Sequence, residues 1–114
     1  MNATSDEVAF YRALRSTLIR DIENNGQRKS LDLSEIDDKA GCLQLAISTK
    51  DRRKDLVVLN FSGSAPFLHL GGAAYQLQVV APDSVILRDK QLGAQEIGDW
   101  ISKQITEELK RPVG

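Results

Sequence analysis

His69 is the only histidine of the chain, and Ser62 and Ser64 lie a few residues before it. A histidine beside a serine can act as the general base that activates a nucleophile, with an aspartate to orient the ring. The local pattern points elsewhere. In "PFLHLGG" the histidine alternates with Leu68 and Leu70 and would share a strand face with Phe67. A strand histidine on the less buried side is the expectation, with an exposed contact role ranked above catalysis. Gly71 and Gly72 follow. A phosphate cradle would need a helix directly after them, whereas a two-residue hairpin turn needs the positive φ that Gly-Gly supplies.

Three other groups could carry chemistry. Lys50, Arg52, Arg53 and Lys54 in "TKDRRKD" could clamp phosphates from a hairpin tip. Asp51 and Asp55 dilute that patch, and no aromatic residue stands beside it to stack on bases. Asp32, Glu35, Asp37 and Asp38 could offer oxygens to a hard cation, but the spacing of a calcium loop is missing. A solvated loop, or one that meets an arginine-rich partner, fits them better. Trp100 lies about 60° outside the stripe of Ile97, Ile101, Ile105 and Leu109, at about 100° per residue. It either covers a strand end or stands exposed, where tryptophan anchors protein contacts. One histidine and one cysteine, Cys42, leave no structural zinc set and no internal disulfide. No Walker loop, G-x-G-x-x-G, C-x-x-C, H-E-x-x-H or G-x-S-x-G occurs. No metal, no cofactor and no catalytic residue is therefore expected.

The elements that would hold these residues follow from periodicity. "TSDE" sets Thr4 three residues before Glu7, the capping-box spacing. Phe10, Tyr11, Leu14, Leu18 and Ile22 then recur as one helical face, and "NNG" ends it. A short edge strand is expected at 31–36. "CLQLAIS" alternates as a half-buried strand. "LVVLNF" is continuously apolar over four residues and reads as a central strand covered on both faces. "AYQLQVV" is read as one strand, "APDS" as a turn, and "SVILRD" as a last short strand. Gly93 with Glu96 opens a second helix, whose stripe runs from Ile97 to Leu109 and in which Gly98 permits a close approach. Pro112 ends it.

The expected fold is a single α+β domain spanning 1–114: an N-terminal helix, an antiparallel meander of four to six strands, and a C-terminal helix. Both helices would lie on one face of the sheet, in two layers. At 114 residues and 41% hydrophobic, the chain can bury one core. With 15 basic and 16 acidic residues its net charge is −1, which gives no bulk attraction to nucleic acid or an anionic membrane. Its apolar runs are far shorter than the ~20 residues of a membrane span, and "MNATSDEV" lacks the pattern of a secretion signal. A cytoplasmic location is expected.

These observations favour a small protein–protein interaction module that acts by surface binding: an adaptor, a regulator, or an inhibitor or immunity-type protein of a bacterium or phage. Its candidate contacts are Phe67, Leu68, His69, Leu70 and Trp100, its partner is another protein, and a homodimer is a further option. The alternative is a nucleic-acid-binding accessory protein using Lys50 and Arg52–Lys54. An enzyme centred on His69 ranks third.

Overall fold

The computed structural model describes residues 3–38, 42–51, 55–62 and 65–111. Helix α1 (Ser5–Asn24) starts where the capping box sets it: the Glu7 N–H donates to Thr4 Oγ1 (3.2 Å) and the Thr4 N–H to Glu7 Oε1 (2.7 Å). The expected stripe is buried, and Gly26 ends the helix region with φ +66°. A short 3-10 turn at Arg28–Ser30 leads into the first strand.

Five strands then form an antiparallel sheet in chain order: β1 (Leu31–Asp37), β2 (Leu43–Thr49), β3 (Asp55–Asn60), β4 (Phe67–Leu70) and β5 (Ala73–Gln76). A separate three-stranded antiparallel sheet follows, made of β6 (Gln78–Ala81), β7 (Ser84–Leu87) and β8 (Lys90–Gly93). Helix α2 (Ala94–Lys110) closes the described chain, with the Gly93 N–H held by Glu96 Oε1 at 3.1 Å.

The α+β class and the two flanking helices stand as expected, but the described residues form eight strands rather than four to six. Two local events account for the difference. "AYQLQVV" is broken at Leu77, which is buried and whose N–H donates to the Pro66 carbonyl (2.9 Å), so the chain leaves one sheet there and enters another. After β7, Arg88 and Asp89 take φ of +50° and +65° and turn the chain back into β8, with Leu87 opposite Lys90. That conformation is the one a two-residue hairpin needs. Lacking glycine or asparagine, the pair does not announce it.

The helices run side by side in the same direction. Thr17 faces Gly98, Asp21 Oδ2 accepts from Ser102 Oγ (2.9 Å), and Gln27 Nε2 donates to Thr106 Oγ1 (2.8 Å). Gly98 makes this approach possible, because a Cβ there would stand 2.5 Å from Thr17 Cγ2. Both helices cover the same face of the five-stranded sheet. α1 brings Tyr11 to Glu35 at the β1 edge and stacks Phe10 on Phe61 (6.1 Å between centroids). α2 brings Trp100 to Tyr75 at the β5 edge. The small sheet packs β6 against α1 and β8 against α2. One continuous core results, in which Leu45, Ile47, Val57, Leu59 and Leu68 meet the two helix stripes. Each large side chain buried there contributes roughly 1.5–3 kcal/mol before ordering entropy is subtracted.

Candidate functional site

Strand alternation gives the five-stranded sheet a second face, opposite the helices. The pairing register builds two rows across it. Ile36, Gln44, Asn60, Phe67 and Gln76 form one row. Ser34, Ala46, Val58, His69 and Ala74 form the other. His69 aside, neither row holds an ionisable side chain, although 27% of the chain is charged. Ile36 is 46% exposed, Phe67 and Val58 are half-buried, and His69 is exposed. The Phe67 and His69 rings lie 4.9 Å apart, tilted by 57°. Loss of charge and gain of aromatic side chains mark the buried centre of protein contacts more than open protein surface.

The residues that the sequence puts forward separate on this geometry. Phe67 and His69 lie on the outer face. Leu68 and Leu70 do not: alternation turns them inward, where they are 0% and 5% exposed. They belong to the core and leave the candidate surface. β4 itself lies between β3 and β5 rather than at an edge. Trp100 is half-buried and stands edge-on to Tyr75 (5.0 Å, 76°), over whose ring the Arg88 guanidinium sits at 4.5 Å. Trp100 thus covers an end strand on the helix side, away from Phe67. Among the nucleic-acid candidates, Lys50 is exposed and its N–H caps the Ser30 carbonyl at 3.1 Å. Arg52, Arg53 and Lys54 lie outside the described residues.

Ser62 and His69 do not form a nucleophile–base pair. Ser62 Oγ accepts the Leu43 N–H (2.9 Å) and lies 3.1 Å from Cys42 Sγ, while its own N–H donates to Asn60 Oδ1 (2.7 Å). It latches the end of β3 to β2. His69 is paired across the sheet with Val58 and Ala74, and Ser64 lies outside the described residues.

The acidic group is also divided by alternation. Glu35 points to the helix side, where Glu35 Oε2 accepts from Tyr11 Oη (2.9 Å) and from Arg15 Nε. Asp37 Oδ1 meets Arg12 at 3.4 Å on the same side. Asp38 Oδ1 accepts the Cys42 N–H at 3.0 Å, and Asp32 faces the opposite way. Among the described residues no group of three or more side chains is placed to hold a metal ion. Burial pushes the Tyr11 hydroxyl well above the usual tyrosine range, and its bond to Glu35 adds to that.

Val58, Ala46 and Ile36 were missed by sequence reasoning. The run "LVVLN" suggests burial on both faces, and only the register shows Val58 on the open one. The signal that could have found it was the neighbouring strand: "CLQLAIS" puts small and polar residues on the face that Val58 shares. A recess of about 460 Å³ also opens where the chain passes between sheets, near Pro66, Leu77, Ile86 and Arg88. Among the described residues, no helix is long and apolar enough to cross a membrane. The chain matches no family model, no curated protein and no solved structure.

Proposed function

We propose that the chain is a small protein-binding module that acts by occupying another protein's surface through the outer face of its five-stranded sheet. The observation that carries this reading is the pair of uncharged rows centred on Val58 and Phe67, left uncovered by both helices. Phe67 and Val58 are already half-buried, so covering the rest of each against a partner would supply roughly half of the 1.5–3 kcal/mol of a fully exposed side chain. Gln44, Asn60 and Gln76 beside them offer donors and acceptors that hold a partner in register. Adaptor, regulator and inhibitor all act by such contact.

The test is a comparison of captured proteins. Tagged wild-type chain and a Phe67→Glu, Val58→Lys variant are incubated with extract of the source organism, and bound proteins are quantified by mass spectrometry. A stoichiometric partner held by the wild type and lost by a folded variant supports the reading. The same partner held equally by both removes the outer face from the function. Retention that disappears on nuclease treatment favours the nucleic-acid alternative instead.

A further inference from the structure

The two edges of the five-stranded sheet are unequal. β5 is four residues long, and Trp100 and Arg88 pack on the ring of its Tyr75 on the helix side. β1 is seven residues long, contains no proline, glycine or lysine, and pairs with β2 without a bulge. Natural sheets blunt exposed edges with such features, or with charges turned inward. β1 has inward charges, but Arg15 and Arg12 neutralise Glu35 and Asp37.

Backbone parity shows which groups of β1 are unused. The Lys50 N–H donates to the Ser30 carbonyl and the Asp38 N–H to the Cys42 carbonyl, at the two ends of the β1–β2 ladder. Such bonds fall on every second residue of an antiparallel pair. Asp32, Ser34 and Ile36 therefore spend their N–H and C=O on β2, whereas Leu33, Glu35 and Asp37 turn theirs to the open edge. Leu31 is already engaged, since its N–H and its C=O both meet Arg28.

We infer that β1 pairs antiparallel with β1 of a second copy, about a two-fold axis at Ser34, to make one continuous sheet. Leu33 then lies opposite Glu35 of the second copy and exchanges two backbone hydrogen bonds with it, and symmetry repeats the pair. Asp32 lies opposite Ile36 and covers part of its exposed side chain. The basic start of one strand (Arg28, Lys29) meets the acidic end (Asp37, Asp38) of the other. Neighbouring registers are worse. An axis at Glu35 crowds two Glu35–Arg15 pairs at one point, and one at Ile36 crowds Glu35–Arg15 against Asp37–Arg12, whereas the axis at Ser34 sets uncharged Leu33 opposite Glu35. An axis at Leu33 sets Glu35 against Leu31, whose backbone is taken. The inference does not rest on the reading of the outer face, although pairing would set two such faces side by side.

Sedimentation velocity on the purified chain tests it, without any host partner. The wild type sediments as a dimer. Ser34→Lys and Ser34→Asp, each at an exposed outward position, separately weaken the dimer several-fold, because like charges meet at the axis. An equimolar mixture of the two restores it. On a Cys42→Ser background, Ser34→Cys forms a cross-linked dimer on oxidation, since a non-hydrogen-bonded pair brings the Cα atoms to about 4.5 Å. A wild type that stays monomeric overturns the inference. So does a dimer that is indifferent to Ser34→Lys and gives no cross-link through Ser34→Cys.

Discussion

The inner and outer faces of the five-stranded sheet share one set of backbone hydrogen bonds and differ in everything attached to it. On β4 the contrast falls between neighbours. Leu68 is fully buried beneath the helices, and Phe67, one residue earlier, stands half-buried on the open side. The inner face is apolar because two helix stripes need a surface to cover. The outer face has no such duty in the folded chain, yet its two rows around Val58 and Phe67 hold no carboxylate, lysine or arginine, although Asp32 lies at one end of the same face. Ala46, Val58 and Phe67 lie on the face away from both helices, so burial beneath the helices does not explain these residues. The contact outside the domain proposed above would.

The largest expected effect belongs to the inner face. Leu68→Ala should cost about 2–5 kcal/mol in chemical denaturation, as buried leucine truncations do. A loss below about 1 kcal/mol would break the contrast with Phe67. Next comes the helix pair that covers that face. Gly98→Ala should gain about 1 kcal/mol of helix propensity and lose about 1–3 to the clash with Thr17 Cγ2. A net fall in melting temperature is expected, and Thr17→Ala should relieve it in the double variant.

A smaller effect belongs to the rim where the inner face meets α1. Tyr11→Phe removes the bond to Glu35 and should cost about 1 kcal/mol near neutral pH. The hydroxyl's raised pKa adds a pH signature. Only the unfolded chain ionises Tyr11 as pH passes about 10, so stability is fully present below that pH and declines above it. Denaturation midpoints followed through that window should show the decline in the wild type and less of it in Tyr11→Phe. The smallest effect is the one that sharpens the comparison most. Phe67→Ala should cost less than about 1 kcal/mol in the isolated monomer, because most of its partners would lie outside the chain.

Much of this was legible in the sequence. The capping box of α1, the four-step ladder of α2, the close approach at Gly98 and the Gly71–Gly72 turn all act within a few residues, where side-chain type determines geometry. The second sheet was not legible. Leu77 looks like one more apolar residue in an alternating strand, and the break there depends on a bond to Pro66, distant in sequence. Arg88 and Asp89 adopt a glycine-like turn without glycine. At the site, alternation alone should have separated Phe67 and His69 from Leu68 and Leu70. The place of Val58 needed the register with β2 and β4, which no single strand encodes.

Site-specific photo-crosslinking in cells of the source organism tests the central claim most directly. A photoreactive residue is placed in turn at Phe67, at Val58 and at the exposed helix position Ser16. The account predicts one crosslinked protein shared by positions 67 and 58 and absent from 16. Crosslinks from Ser16 with none from 67 or 58 would contradict it.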